Sequence, residues 1–383
     1  MTVALTLSPP VPLRAGAILP LSVDDSDLDT PALLVDLDIV DANIARMQAF
    51  ATREGFALRP HVKSHKSLRM AASQLEAGAT GLCVATASEA QVMAASAAPD
   101  ILVAYPLIGE RKLERLVELA ADRRLTLVTD SLAVTEGYRR FAKSLGTVIR
   151  VLVEVDTGMN RAGAVPADVS AVAIDVARGD GLEFSGIMTH AGHAHDVTTQ
   201  ADIARVARLE GSLMGDVRDA LEKKGLHVGI VSAGSTITSP YLRASDGITE
   251  IRPGTYIYND LRTLGRFACT PDMIAPSMLS TVVSINHDRV TLDAGSKTLT
   301  STKDSEYGYG YLPEQPSATF TRMSEEHGVL SIPQVQGSIS VGDRVQVLPI
   351  HACVWMDLQP EIYGTRGGVV VERIQIEGMR HSL

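Results

Sequence analysis

From about residue 30 to residue 260, short apolar runs rich in Val, Ile and Leu alternate with longer stretches whose apolar residues recur at helical spacing. This alternation predicts strand–helix units built around a parallel sheet. The strand-like runs are Ala57–Lys63, Gly81–Ala85, Ile101–Tyr105, Leu125–Thr129, Val148–Val155, Phe184–Thr189, Val228–Ser232 and Glu250–Thr255. Eight such runs, separated by helical stretches such as Glu110–Arg123, Leu132–Leu145 and Thr198–Lys224, predict an α/β fold of the (β/α)8-barrel type.

The pattern changes on both sides of this region. Pro31–Leu37 is a further apolar run before the amphipathic helix Asp38–Gly55, and it is either a strand of the second domain or a ninth barrel strand. After Phe267 helical runs give way to short alternating segments. These segments are Ser277–Ile285, Val290–Asp293, Arg344–Leu348, Ala352–Met356 and Gly368–Gln375. We therefore predict an N-terminal arm over 1–28, a barrel over 29–266 and a C-terminal β domain over 267–383.

Composition narrows the class of protein. The net charge of -10 would repel a phosphate backbone, so a nucleic-acid partner is not expected. Three cysteines are too few for a disulfide framework and fit a reducing cytoplasm. No apolar run approaches the roughly 20 residues of a membrane span. The N-terminal segment lacks a basic start and is interrupted by prolines, which predicts an irregular arm rather than a signal peptide.

Polar residues cluster where the predicted barrel strands end, and barrel enzymes build their sites from these loops. Small and hydroxyl-bearing residues follow the last two strands, where barrels commonly bind phosphate. They are Gly234, Ser235 and Thr236 after the seventh strand, and Gly254, Thr255 and Tyr256 after the eighth. Either triplet alone is typical of an ordinary turn. Their joint position after neighbouring strands favours a phosphate-binding site formed by both loops.

Lys63 ends the first predicted strand, in a basic cluster with Arg59, His61, His65 and Lys66. Neighbouring positive charge makes a lysine amine more nucleophilic. Composition alone fits a solvated basic loop as well. A phosphate-binding site across the barrel mouth favours instead a lysine that covalently holds pyridoxal 5′-phosphate (PLP).

His351 and Cys353 form a candidate metal pair in the predicted β domain. On a strand, residues two apart share a face, and both side chains are good zinc ligands. A closed structural zinc site needs four ligands, so two local ligands would leave open positions, as in catalytic sites. Such a pair also arises by coincidence. Glu325–His327 is a second polar cluster that a charged turn would explain equally well.

With these motifs together, the chain resembles the metal-dependent, fold-type III PLP enzymes that act on D-amino acids, which include D-serine dehydratase and D-threonine aldolase. The resemblance extends over nearly the whole chain and depends on the number, order and spacing of the motifs. In chain order they are Asp29-Thr30-Pro31, Arg59-Pro60-His61-Val62-Lys63, Asp156-Thr157-Gly158 with Arg161 and Gly163, Thr189-His190-Ala191-Gly192, Gly234-Ser235-Thr236, Arg252-Pro253-Gly254-Thr255-Tyr256, Asp293-Ala294-Gly295, Glu326-His327-Gly328 and His351-Ala352-Cys353.

The resemblance implies an alanine-racemase-like barrel and a set of residue roles. Lys63 would hold PLP covalently and act as the catalytic base, and His190 would act on the substrate side. Zinc or another divalent metal would bind His351 and Cys353. The cofactor-binding set would be Lys63, His61, Arg161, Gly234, Ser235, Thr236, Gly254, Thr255 and Tyr256. A homodimer with a small D-amino acid substrate is also implied.

Within this family, aldolases tend to have Asp where this chain has Cys353. The resemblance therefore favours removal of water from a β-hydroxy-D-amino acid, giving a 2-oxo acid and ammonia. The alternatives are retro-aldol cleavage to glycine and an aldehyde, racemisation, a PLP-binding regulatory protein without turnover, and a barrel without PLP. Arg69, Arg243 and Arg262 are candidate partners for a substrate carboxylate.

Overall fold

The computed structural model describes residues 21–23, 27–333 and 339–382. The strands are β1 (Leu21–Ser22), β2 (Ala32–Asp36), β3 (Ala57–Leu58), β4 (Leu82–Val84), β5 (Ile101–Val103), β6 (Leu125–Thr129), β7 (Ile149–Glu154), β8 (Leu182–Met188), β9 (Ile230–Ala233), β10 (Glu250–Ile251), β11 (Pro276–Asn286), β12 (Arg289–Leu292), β13 (Gly310–Tyr311), β14 (Thr319–Met323), β15 (Gly328–Ser331), β16 (Arg344–Pro349), β17 (Glu361–Arg366) and β18 (Val369–Gln375). The helices are α1 (Leu37–Glu54), α2 (Leu68–Glu76), α3 (Ala87–Met93), α4 (Glu110–Glu114), α5 (Val117–Ala121), α6 (Leu132–Leu145), α7 (Val169–Ala177), α8 (Gln200–Glu222), α9 (Leu261–Leu264), α10 (Ser296–Leu299) and α11 (Ala352–Leu358).

Eight parallel strands form the first sheet, in the order β3-β10-β9-β8-β7-β6-β5-β4. Its two ends meet through a parallel bridge between His61 and Cys83, and the N–H of Thr80 donates to the carbonyl of Leu58 at 2.8 Å. The sheet is therefore closed, and the predicted (β/α)8 barrel is confirmed.

Several barrel strands are shorter than predicted. The run Ala57–Lys63 is a strand only over β3 and then becomes a 3₁₀ turn at Val62–Ser64, while Glu250–Thr255 is a strand only over β10. Pro60 and Pro253 lie just beyond these strands. A proline has no N–H to donate to a sheet, so regular pairing stops there and the chain turns toward the barrel mouth.

One prediction on the barrel surface is wrong. Instead of a single helix over Glu110–Arg123, the chain forms α4 and α5, and Leu116 between them has non-helical φ and ψ of -102° and 5°. Leu113, Leu116 and Leu119 are all buried at a spacing of three residues. This spacing is tighter than the 3.6-residue turn, so a continuous α-helix would rotate these leucines away from a common face.

The second sheet has ten strands and is mostly antiparallel. Its centre is β2, which pairs antiparallel with β11 and parallel with β17, so the early apolar run lies in this sheet and not in the barrel. Helix α1 then leads into the barrel, because the Asp36 carboxylate accepts the N–H groups of Asp38 and Ile39 and starts the helix there. Strand β1 pairs with β18, and residues 1–20 and 24–26 of the predicted arm lie outside the described residues.

The prediction that helices end after Phe267 is also wrong, because α10 and α11 lie in the C-terminal part. The predicted strand Ala352–Met356 is part of α11. Ala352, Trp355 and Met356 are fully buried at positions i, i+3 and i+4, which is the spacing of one helix face. Among all the helices of the described residues, none is long and apolar enough to cross a bilayer.

The barrel interior predicts the effect of one substitution. A Cβ on Gly81 would lie 2.8 Å from the carbonyl oxygen of Asp100 and 2.9 Å from Nη1 of Arg59, both of which are fixed in the barrel wall. Gly81→Ala should therefore lower the free energy of unfolding by about 1–3 kcal/mol, measured by urea denaturation.

Gly137→Ala is the matched control. Gly137 lies inside α6 with open space around its Cα, so this substitution should raise stability by about 0.5–1 kcal/mol. Equal stability of the two variants would contradict the proposed close packing at Gly81.

Candidate active site

A cavity of about 680 Å³ opens where the barrel strands end, facing α11 of the second domain. Residues that follow β3, β4, β5, β7, β8, β9 and β10 contribute to its wall. The residues predicted from the sequence that line it are His61, Lys63, Arg161, His190, Ser235, Thr236, Gly254, Thr255, His351 and Cys353. Only Gly234 and Tyr256 of the predicted set lie behind this lining.

Lys63 reaches the cavity because of the turn that carries it. The Nδ1 atom of His61 accepts the N–H of Lys63 at 3.4 Å and begins the 3₁₀ turn Val62–Ser64. Val62 and Ser64 are fully buried on either side, while the Lys63 side chain is exposed. The turn therefore directs Lys63 alone into the cavity.

Fixed positive charge surrounds the barrel side of the cavity. Burial, followed by the charges of Lys63, Arg252 and Arg161, lowers the pKa of His190 to about 3. Burial and the same three cations hold the pKa of His61 well below its ordinary value. Both imidazoles are therefore neutral near pH 7, and the net positive field around them suits an anionic ligand.

Gly254 and Thr236 connect the loops after β9 and β10. A Cβ on Gly254 would lie 2.8 Å from Oγ of Ser64 and 2.9 Å from the carbonyl oxygen of His61, so only glycine lets this loop pack against the lysine turn. The hydroxyl of Thr236 accepts the N–H of Tyr256 at 3.1 Å. Ser235, Thr236 and Thr255 therefore present hydroxyl groups to the same cavity that Lys63 enters.

Gly234 and Tyr256 support this wall from behind. Gly234 has a φ of +80°, which favours glycine, and its N–H donates to Oε1 of Glu210 at 3.1 Å. The buried Tyr256 hydroxyl accepts a hydrogen bond from Nε2 of Gln74 at 3.0 Å. Their roles in the described structure are to shape and fix the loops.

His351 and Cys353 come together at the start of α11, and not on a strand face as the sequence pattern predicted. His351 is the N-terminal cap of this helix and Cys353 lies in its first turn. Burial raises the pKa of the Cys353 thiol, but the hydrogen bond and charge of His351 outweigh burial and lower it to about 7. Burial alone would lower the pKa of His351, which the Cys353 thiolate and Asp260 raise instead. The two side chains therefore interact directly, and each shifts the pKa of the other toward its charged form.

The predicted metal ligands at this position are His351 and Cys353. Within the described ranges, no group of three or more His, Cys, Asp or Glu side chains is arranged to hold a metal. The Cys353 thiol donates to Oγ of Ser64 at 3.4 Å, so the pair lies directly beside the lysine turn. Glu325 and Glu326 instead form exposed ion pairs with Lys297, as in the charged-turn interpretation.

Sequence reasoning missed the residues that join the two domains at this cavity. Lys66, counted above only as part of a basic cluster, is buried and forms ion pairs with Glu89 at 3.2 Å and Asp357 at 2.5 Å. Asp260 accepts the N–H of Ala352 at 3.0 Å. These contacts connect positions far apart in the chain, so no local sequence signal could have indicated them.

Of the three candidate arginines, only Arg262 lines the cavity. Arg69 pairs with Glu372 on the surface, and Arg243 donates to the carbonyls of Pro240 and Leu242. His195 also lines the cavity, and burial followed by the charge of Arg262 lowers its pKa to about 4.

Both parts of the chain are similar to known families. Residues 35–261 match the family "Alanine racemase, N-terminal domain", and residues 275–365 match "Putative serine dehydratase domain". The chain is 33% identical to D-threo-3-hydroxyaspartate dehydratase of Delftia sp. (strain HT23), over 85% of this chain and 91% of the dehydratase. It is 30% identical to D-threonine aldolase of Arthrobacter sp., over 93% of this chain and 94% of the aldolase.

Solved structures of D-amino acid aldolases and dehydratases are also similar to this chain. D-threonine aldolase from Filomicrobium marinum superposes with a TM-score of 0.87 at 28% identity, covering 96% of this chain and all (100%) of the aldolase. The Delftia dehydratase superposes with a TM-score of 0.84 at 30% identity, covering 91% of this chain and 97% of its own. The chain therefore belongs to the fold-type III family of PLP enzymes, in the branch that contains D-amino acid dehydratases and aldolases.

Proposed function

We propose that this protein is a PLP- and zinc-dependent lyase that removes water from a β-hydroxy-D-amino acid to give a 2-oxo acid and ammonia. The observation that carries the proposal is one cavity lined by Lys63, by the hydroxyl-rich loops after β9 and β10, and by His351 with Cys353. Dehydratases of D-threo-3-hydroxyaspartate and D-serine are among the relatives.

The cavity fits PLP in size and in chemistry. Its volume of about 680 Å³ is in the range of cofactor sites. Lys63 would hold the cofactor covalently, Ser235, Thr236, Gly254 and Thr255 would hold its phosphate, and Arg161 and the neutral His61 would lie near its ring.

The pair at the start of α11 fits zinc, because an imidazole and a low-pKa thiol are ligands that zinc prefers. Both side chains of the pair line the cavity, so a metal held by them would have positions open to substrate. One solved structure of the related dehydratase is described as its metal-free form, which supports a metal here.

The chain's own residues then have distinct tasks. When bound, PLP makes the hydrogen on the substrate Cα acidic, and zinc stabilises negative charge on the oxygen that leaves Cβ. Lys63 Nζ takes the proton from Cα as general base. His190 is neutral, so it can hydrogen-bond the substrate without adding a charge. Asp260 and Lys66 hold α11 against the barrel, which keeps His351 and Cys353 over Lys63.

A retro-aldol reaction is the second candidate, because the D-threonine aldolase from F. marinum has a TM-score of 0.87 and covers nearly the whole chain. It would use the same lysine and metal but break Cα–Cβ. Cys353, where aldolases tend to have Asp, favours dehydration.

The first prediction concerns the products and the metal. D-serine, D-threonine and D-threo-3-hydroxyaspartate should give 2-oxo acid and ammonia, measured by coupled assays. Because leaving-group stabilisation by a metal is worth several kcal/mol, chelation should lower kcat/KM by about 100-fold or more, and added zinc should restore it. Glycine and an aldehyde as products would instead assign the aldolase reaction.

The second prediction concerns Lys63. Borohydride reduction of the PLP-loaded protein should fix the cofactor on the peptide containing Lys63, detected by mass spectrometry, and Lys63→Ala should abolish this labelling. The same substitution should lower kcat by about 10²–10⁴-fold through loss of the base. Lys297→Ala, an exposed lysine in ion pairs with Glu325 and Glu326, is the control and should keep both properties. Labelling elsewhere would refute the assignment.

We also propose that the protein is a cytoplasmic homodimer. Size-exclusion chromatography with light scattering should give a mass of about twice 40.8 kDa. A mass of 40.8 kDa at micromolar concentration would contradict the dimer.

A further inference from the structure

Arg262 is a positively charged side chain on the cavity wall that the proposed reaction does not use. It lies in α9, and its backbone N–H donates to the carbonyl of Ile350 at 3.3 Å, next to His351. The cap of the same helix, Asp260, accepts the N–H of Ala352 at 3.0 Å. Two backbone connections therefore fix Arg262 beside the proposed metal pair.

The carboxylates of the cavity are engaged elsewhere. Three of them line it, namely Glu89, Asp260 and Asp357. Glu89 and Asp357 pair with Lys66, and Asp260 accepts the N–H groups of Thr263 and Ala352. Among the residues that the structure describes, none of these carboxylates forms an ion pair with Arg262, so its guanidinium is available to an anionic ligand.

Arg262 is also separate from the cations on the barrel side. The charges of Lys63, Arg161 and Arg252 act on His61 and His190, while the charge of Arg262 acts on His195 and His351; Lys63 also acts on His195. The guanidinium of Arg252 donates to Oγ of Ser232 and the carbonyl of Thr189 inside the barrel. Arg252 is therefore engaged inside the barrel and Lys63 is assigned to the cofactor, which leaves Arg262, bonded next to His351, to meet a ligand group near the metal pair.

We propose that Arg262 binds a carboxylate on the Cβ of the substrate, so that the enzyme prefers β-hydroxy D-amino dicarboxylic acids over D-serine or D-threonine. The inference rests on the proposed function, in which the β-hydroxyl lies at His351 and Cys353. A second substituent on the same carbon must lie within one or two bond lengths of that position. The planar guanidinium matches a carboxylate through two parallel hydrogen bonds, which a methyl group or hydrogen cannot accept.

The kinetic test compares Arg262→Met with the parent enzyme on D-threo-3-hydroxyaspartate and D-serine. Loss of the charge partner should lower kcat/KM for hydroxyaspartate by about 30-fold or more and change that for D-serine by less than about threefold. Arg262→Lys keeps the charge and should restore part of the preference. Arg243→Met removes an arginine outside the cavity and should leave both values unchanged.

An equal loss on both substrates would overturn the inference, because Arg262 would then hold a group common to them, such as the α-carboxylate. No loss on either would overturn it as well. Unchanged melting temperatures of Arg262→Met and Arg262→Lys would show that a selective loss does not come from unfolding.

A binding test separates this inference from the proposed reaction. D-aspartate and D-alanine differ by one carboxylate, and neither has a hydroxyl to lose. Calorimetry on the PLP-loaded protein should give a Kd at least about 30-fold lower for D-aspartate, and Arg262→Met should bring the ratio near one. If this preference is present but no substrate is dehydrated, the proposed function fails and the inference stands. If D-serine is dehydrated and the preference is absent, the inference fails and the function stands.

Discussion

The structure depends on how the barrel closes at its first strand. Strand β3 has two residues and β10 has two, so few backbone hydrogen bonds hold this edge. Arg59 compensates from inside the barrel, where its buried guanidinium pairs with Asp100 and donates through Nε to Glu250 at 2.8 Å. Charges buried in this way are stable only when fully paired, so this network fixes the relative positions of β3, β10 and the chain before β5.

The short strands are also what makes the cavity. Because Pro60 and Pro253 cannot donate to the sheet, regular strand pairing is interrupted there, and the two loops that follow meet at the barrel mouth. One loop carries Lys63, and the other carries Gly254, whose missing side chain lets them pack together. The same interruption that weakens the sheet edge therefore brings an amine to the loops that offer hydroxyl groups.

The second domain contributes to the cavity through a small number of polar contacts. Lys66 from the barrel pairs with Asp357 of α11, and Asp260 accepts the N–H of Ala352 at the start of the same helix. Both contacts act on α11 near its ends, so the helix that carries Cys353 is held rigidly over the barrel. Burial, followed by the charges of nearby lysine and arginine side chains, keeps His190 and His195 neutral near pH 7, and those cations suit a phosphate and a carboxylate ligand.

The sequence by itself determined the barrel and the positions of its eight strands along the chain, because hydrophobic periodicity is a local property, although several strands end earlier than predicted. It also indicated ten residues that line the cavity, including Lys63 and the pair His351 and Cys353. Only the tertiary structure decided that this pair starts a helix, that Tyr256 lies behind the wall, and that Arg262 rather than Arg69 or Arg243 faces the cavity. Short apolar runs fit a strand or a helix equally well, and the choice depends on which partners bury them. Which of these arginines faces the cavity depends on contacts between residues distant in the chain, and no local pattern records these.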